Sequence, residues 1–384
     1  MKVLALGCGF HGRGIAYQIA AEGEGVELLA ADKVGERARR VGEKTGGRWM
    51  TLDVDDGAGL REALRGIDTV FNATGPYHLH GLKVVEAAIE TGTHYVDMAD
   101  DHEVTEELFF NPDWDQMAKE AGVAVLTGCG IMPGLSGVLA RYGYDSMDEP
   151  RKVNIWFSWN YSLNYPAAIH HFLRINSGLA PQFMDGDYVK PGAFAGKEGI
   201  AFLPPVGGKQ VYYTGVPDPV SISRSLPGLV EVTASGGLHQ PEGTDLMEAM
   251  VRWGLTSYDC IPGLGTSPME FMMAFLSSEA GKPYFDIEPL DEPMAVRVRV
   301  EGKRDGAPCR RVFEAQDFSR RGTTSVAALA TLMVASGEIK RRGVGSPEGW
   351  LEAEPFLRRM AREPGVELFE LVEGRAPVAL FEGA

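Results

Sequence analysis

Over the first 130 residues, short apolar runs alternate with stretches of helical periodicity. Val3–Leu6, Val26–Ala31, Arg48–Leu52, Thr69–Asn72, His94–Asp97 and Val123–Thr127 read as strands. Helical spacing follows at Arg13–Ala21, Gly35–Lys44, Gly59–Arg65, Gly81–Glu90 and Asp113–Glu120. This β-α-β-α rhythm predicts an α/β fold with a doubly wound parallel sheet and helices on both faces. From about Pro150 the rhythm changes. Val153–Trp159, Lys209–Tyr213, Val230–Ala234, Met294–Val300 and Arg310–Ala315 predict a mostly antiparallel sheet. Helical patterns intervene at Ala167–Asn176, Asp245–Trp253 and Met269–Ser278, and the Gly- and Pro-rich stretch Leu179–Pro205 reads as loop. Helices return at Thr323–Ser336 and Gly349–Met360, with short closing strands at Glu367–Leu371 and Pro377–Phe381.

With 384 residues, 44% apolar and 23% charged, the chain has room for two domains or three, each with a buried core. The net charge of −16 argues against nucleic acid or an anionic membrane as partner. The longest apolar helical stretch, Val326–Ala335, is too short to cross a bilayer, and the chain enters its first strand at once, so a cytoplasmic protein is expected. Cys8, Cys129, Cys260 and Cys309 are scattered, without metal-ligand spacing, and are expected as reduced thiols. No His, Asp and Glu cluster has helical ligand spacing, so no metal is expected.

The first strand ends in Gly7-Cys8-Gly9-Phe10-His11-Gly12, a G-x-G-x-x-G opening a helix. Among 48 glycines such a match alone means little. Its setting changes that, because the second strand ends in Asp32, twenty residues past Gly12, where an acid binding the adenine ribose is expected. Gly7 allows a sharp turn off the strand, Gly9 lets a pyrophosphate approach the backbone, and Gly12 lets helix and sheet pack closely. The amides at the helix start, at Phe10 and His11, then face the phosphates. A Rossmann-type site for a nicotinamide dinucleotide is therefore expected. Asp32 would repel a 2′-phosphate and favours NAD; Lys33 and Arg37 would instead welcome that phosphate, leaving NADP as the alternative.

In such sheets the ligand lies past the carboxyl ends of the strands. The residues there are the candidates. Asp53 and Val54 either meet the adenine or form a solvated capping turn. Ala73, Thr74, Gly75 and Pro76 give the cofactor a small-residue passage, and Tyr77, His78 and His80 stand at the mouth of the site. Tyr77 either orients substrate and relays a proton or serves as an aromatic wall. His78 and His80 are each either a base or a packed surface residue. Asp97 and Asp100 would bind a substrate ammonium or a water, with Asp97 also near the cofactor; Asp101 and His102 read as helix caps. Cys129 opens a second glycine-rich turn and reads as pocket wall more than as nucleophile, since no Cys–His motif supports it. The amides of that turn's helix are expected to hold a carboxylate or carboxamide. Arg174 and Arg224 are candidate carboxylate clamps.

The stretches GCGFHGRG, NATGPYHLHGLKVVEAAIETGTHYVDMADD, AGVAVLTGCGIMPGLSGVLA and GTTSVAALATLMVASGEIKRRGVGSPE resemble the saccharopine dehydrogenase family, most of all its lysine 6-dehydrogenase and saccharopine reductase members. The likeness frames nearly the whole chain, while Trp159–Gly254 is matched only loosely. It implies a dinucleotide-binding domain over 1–131, an inserted α+β substrate and dimerisation domain over 132–322, and C-terminal helices over 323–384 that return to the first domain. It also implies a homodimer or higher homo-oligomer. The implied activity is NAD(P)-dependent oxidation at a CH–NH or CH–NH2 group of an amino-acid, amine or opine-type small molecule, with Tyr77 at the family's Pro-Tyr position and Cys129 in its turn. The alternatives are a reductive amine–aldehyde condensation, as carboxynorspermidine and saccharopine reductases perform, and a dinucleotide-binding sensor without turnover.

Overall fold

The computed structural model describes residues 1–159, 166–192, 194–276, 278–281, 293–319 and 321–381. The first part of the chain runs β1 (Lys2–Leu6), α1 (Phe10–Glu22), β2 (Glu27–Asp32), α2 (Gly35–Thr45), β3 (Arg48–Thr51), α3 (Gly57–Leu64), β4 (Thr69–Asn72), α4 (Tyr77–Thr91), β5 (His94–Asp97), α5 (His102–Phe110), α6 (Pro112–Glu120), β6 (Ala124–Leu126) and α7 (Leu135–Tyr144). Then follow β7 (Glu149–Trp159), α8 (Pro166–Ser177), β8 (Gln182–Met184), β9 (Asp187–Val189), β10 (Glu198–Ala201), β11 (Gly208–Tyr213), α9 (Asp218–Ser225), β12 (Glu231–Leu238), α10 (Pro241–Arg252), α11 (Pro268–Leu276), β13 (Met294–Arg304) and β14 (Ala307–Asp317). The chain closes with α12 (Gly322–Ala335), β15 (Gly343–Gly345), α13 (Pro347–Trp350), α14 (Ala353–Met360), β16 (Val366–Glu370) and β17 (Val378–Ala379).

Six strands of the first half and β15 form one parallel sheet, in the order β15-β6-β5-β4-β1-β2-β3. The reversal of strand order lies between β1 and β4, and there a doubly wound sheet opens its ligand crevice. Buried strands explain the near-continuous apolar runs: Val3, Leu4, Leu6, Val70 and Phe71 are all enclosed by helices. Helix α12 packs along α1, where Gly14 brings the two close: a Cβ there would lie 3.3 Å from the Thr324 side chain. Helix α12 and β15 thus belong with the first sheet.

The second sheet has ten strands, along β10-β11-β12-β7-β13-β14-β16-β17, with β8 and β9 joined at β12. Its pairings are antiparallel except β12 with β7. Alternation along β7 explains its two faces. Val153, Ile155 and Phe157 enter the core that continues into the first sheet's helices, whereas Trp156 packs with Phe202 and Val211 on the far side.

Three expectations change. Leu179–Pro205 is not all loop; β8, β9 and β10 are there, of three or four residues each, too short for alternation to show among turn residues. Gly349–Met360 is not one helix, because extended backbone at Leu351 and Glu352 separates α13 from α14. The last strands, β16 and β17, extend the second sheet at the edge of β14. The helix expected over Met269–Ser278 is seen as α11, with Ser277 outside the described residues.

Candidate active site

The glycine turn after β1 has the geometry its sequence requires. Gly7 has φ of +87°, and a Cβ there would lie 2.7 Å from the Ala73 carbonyl oxygen at the end of β4. A Cβ on Gly12 would lie 1.8 Å from the Gly7 oxygen, so that contact admits no side chain. A Cβ on Gly9, by contrast, would meet no other part of the chain within 4 Å. Gly9 is the extended N-cap of α1, and no side chain caps that helix end. A closed turn beneath an open, uncapped helix N-terminus fits a pyrophosphate.

Asp32 is buried and accepts hydrogen bonds from the Cys8 amide at 2.7 Å and the Val34 amide at 2.7 Å. It therefore braces the glycine turn from the end of β2. Lys33 and Arg37 are exposed beside it. Asp53 is exposed and accepts from the Asp55 amide, and Val54 is buried. These are the marks of a capping turn. Ala73 and Thr74 lie half-buried beside the β1–β4 crevice, and Gly75 and Pro76 continue from it; Thr74 is pinned by Asn72, which accepts from both its amide and hydroxyl.

Deeper in, the strand ends are tied together. The Asp97 carboxylate is fully buried and accepts from the Tyr95 hydroxyl at 2.7 Å, the Thr127 hydroxyl at 2.9 Å, and the amides of Ala99 and Gly128 at 3.0 and 2.8 Å. Burial nevertheless pushes its carboxyl above the usual range. Asp97 joins β5 to the turn after β6 and faces no open space. Cys129 is also fully buried, and burial pushes its thiol well up, so it is no nucleophile at neutral pH. Tyr77, 6% exposed, donates to the Asn72 carbonyl at 3.0 Å, and burial raises its phenol well above the ordinary value. The helix after Cys129 offers no anion site of the kind expected: the Leu135 and Ser136 amides already donate to the carbonyls of Gly130 and Ile131. His80 turns to Asp55, 3.4 Å away, not to the mouth.

The titratable groups that converge are those after β5 and on α8. His171 places Nε2 2.8 Å from Asp100 and Nδ1 3.4 Å from Asp101. Burial opposes its charge, but the two carboxylates outweigh burial and raise His171 to about 10. Burial likewise opposes ionised Asp101, and bonds from His171 and His78 outweigh it, holding that carboxyl well below its ordinary range. Asp101 stands at the N-cap position of α5 but makes no cap bond there. Instead it accepts from the His78 amide at 2.8 Å and meets His78 Nδ1 at 2.9 Å. A carboxylate on Nδ1 fixes the tautomer that leaves the lone pair on Nε2. His11, from the glycine turn, is half-buried near Asp100 and His171, and burial lowers its pKa. His170 stacks on His78 at 5.6 Å and meets the Tyr258 hydroxyl at 3.1 Å.

Sequence reasoning missed His170, His171 and Tyr258. The signal was the adjacent histidine pair in an otherwise apolar helical pattern. Asp100, Asp101 and His171 also have ligand atoms within 4.8 Å of one another, a grouping invisible in linear spacing. Both ring nitrogens of His171 are engaged by the carboxylates, so this trio is an ion-paired imidazolium. Beside it a cleft of about 340 Å³ opens between α5 and the second-sheet domain, lined by Asp101, Glu103, Arg174, Ser177 and Tyr258 among others. Arg174 lines the cleft, whereas Arg224 lies apart, donating to the Phe109 carbonyl.

A Rossmann sheet with a fitting dinucleotide turn, and acids and histidines gathered at its strand ends, defines an NAD(P)-dependent oxidoreductase. Residues 3–127 match the model of the saccharopine dehydrogenase NADP binding domain. The dinucleotide-binding part of the chain is thus similar to that of the saccharopine dehydrogenase family, in the region where its motifs resemble that family. A carboxyaminopropylagmatine dehydrogenase of Synechocystis is 24% identical over 98% of this chain and 99% of its own. A rat saccharopine dehydrogenase-like oxidoreductase is 27% identical over 34% of this chain and 26% of its own length. In fold, the chain is similar to apo saccharopine dehydrogenase (L-Glu forming) of Saccharomyces cerevisiae, with a TM-score of 0.70 and 16% identity over 97% of this chain and all of that one. No described helix is long and apolar enough to cross a membrane.

Proposed function

We propose that the protein transfers a hydride between NAD and the carbon bearing the nitrogen of an amino-acid or opine-type substrate. The observation that carries this is the meeting, beside one cleft, of the glycine turn through His11, the acids after β5 and the α8 histidines. When bound, the nicotinamide supplies or accepts the hydride. The chain's own residues do the rest. Asp100, paired with His171, offers a carboxylate oxygen to the substrate ammonium. His78, with its tautomer set by Asp101, accepts the proton that leaves nitrogen as the C–H bond breaks and C=N forms. Tyr77, Asp97 and Cys129 shape and fix the floor. Asp32, at the turn that faces the ribose, favours NAD over NADP.

The reverse direction, in which an amine and an aldehyde condense and the C=N is reduced, is the second reading. What favours it is the end-to-end match to a Synechocystis enzyme whose name is that of a substituted agmatine, an amine carrying an added carboxyaminopropyl group. A purified enzyme given NAD, NADP or their reduced forms, with lysine, saccharopine or mixtures of amine and semialdehyde, separates the readings by absorbance at the reduced-nicotinamide band. Turnover on an amine substrate is expected, faster with NAD. His78→Gln is expected to lower it roughly 100-fold or more while dinucleotide affinity holds. Turnover confined to alcohols, or an unaffected His78→Gln enzyme, contradicts the proposal.

A further inference from the structure

The chemistry above leaves one ring of the cluster unused. His170 precedes His171 on α8 and lies nearly flat against His78, with ring centres 5.6 Å apart and planes 23° apart. His78 stands at the start of α4, beside the first sheet, whereas α8 follows β7 of the second. The other side of His170 is held by Tyr258, from the stretch after α10. The phenol ring stands edge-on to the imidazole, with 79° between planes, and its hydroxyl lies 3.1 Å from Nε2. Nδ1 is sealed from solvent and has no hydrogen-bond partner among the described residues. The Tyr258 hydroxyl is therefore what orients this ring by hydrogen bonding. The same geometry keeps the ring uncharged. An imidazolium carries two N–H donors, and here the one on Nδ1 would be orphaned at a cost. Burial, then the nearness of His78, Arg174 and His171, also pushes the His170 pKa down, with Asp101 opposing. A flat, neutral ring can lie against His78 both before and after His78 takes up a proton, where a charged one would repel it.

Resting on the amine-oxidoreductase reading, we infer that His170 is a positioning residue for the base His78, and that Tyr258 positions His170 in turn. Asp101 holds one edge of the His78 ring, and the stacked face of His170 stops the ring from swinging about that bond. Tyr258 sets the plane of the stack from the far side. The base is thus completed by a helix from the second part of the chain, and it is fully seated only while α8 stands against α4.

Proton–nitrogen NMR of the full chain with isotope-labelled histidines tests this without substrate, the His78→Gln spectrum assigning the His78 ring. The wild type is expected to show a His78 Nδ1–H that exchanges slowly with water, because Asp101 and the stack hold it. His170→Ala is expected to speed that exchange by roughly tenfold or more, and Tyr258→Phe by roughly threefold. His170→Phe keeps a flat, uncharged ring and is expected to restore most of the protection. In turnover, His170→Ala is expected to lower kcat roughly tenfold while the dinucleotide KM holds, with His170→Phe recovering most of the loss. Thermal melting of each variant checks that the fold persists. Unchanged exchange in His170→Ala, a His170→Phe enzyme no better than His170→Ala, or a Tyr258→Phe enzyme like the wild type in both readouts overturns the inference, as does a loss seen in KM instead of kcat. A His78 proton that depends on the stack, in an enzyme with no amine turnover, would sink the oxidoreductase reading alone.

Discussion

Gly9→Ala is expected to melt like the wild type and yet lose dinucleotide affinity by roughly tenfold or more, about 1–2 kcal/mol. The added methyl meets no protein atom within 4 Å, and Gly9 has φ of −71°, open to any residue, so the folded apo chain has no reason to object. The methyl would stand where the pyrophosphate must approach the backbone. Gly12→Ala should do the opposite. Its methyl would fall 1.8 Å from the Gly7 oxygen, so the helix must shift off the sheet. A destabilisation of about 3 kcal/mol is expected from such overpacking. Denaturant unfolding of the two apo variants, beside calorimetric titration with NAD, checks both. A Gly9→Ala enzyme that binds NAD normally would mean the turn holds no dinucleotide.

Asp97→Ala is expected to cost about 3–5 kcal/mol of stability, since each buried donor left unpaired costs about 1–3 kcal/mol. Four donors converge on this carboxylate, two from hydroxyls and two from backbone amides. Asp97→Asn should be much milder. Its oxygen still accepts from the turn, and the Tyr95 hydroxyl can rotate to accept from the amide. Chemical denaturation of the two variants measures the difference. Asn costing as much as Ala would show that ionised charge, not hydrogen bonding, holds the strand ends.

That contrast also explains which parts of the site were legible in the chain. Gly7, Gly9, Gly12 and Asp32 act through backbone geometry at fixed spacing within one β-α-β unit, and such local constraints survive in sequence. The strand ends were equally visible, so Asp97, Asp100 and Cys129 were located. Their chemistry was not. Whether a carboxylate faces substrate, as Asp100 can, or is sealed, as Asp97 is, depends on groups thirty residues away at Thr127 and Gly128. Asp101 followed the N-cap pattern but spends its oxygens on His78 and His171. The α8 histidines lie some seventy residues from the acids they meet, in a region whose periodicity speaks only of a helix. Long-range pairing of that kind has no local signature. The short strands β8 to β10 were lost for the converse reason: three residues are too few to display a period.

The central claim is that hydride moves between the nicotinamide and a carbon bonded to nitrogen. It is tested most directly by supplying the reduced dinucleotide deuterated at C4 of the nicotinamide, with an amine and an aldehyde-bearing amino acid, and locating the label in the product by mass spectrometry and NMR. The account predicts one deuteron on the carbon of the new C–N bond. Label on a carbon bearing oxygen, or product formed with no label at all, would contradict it.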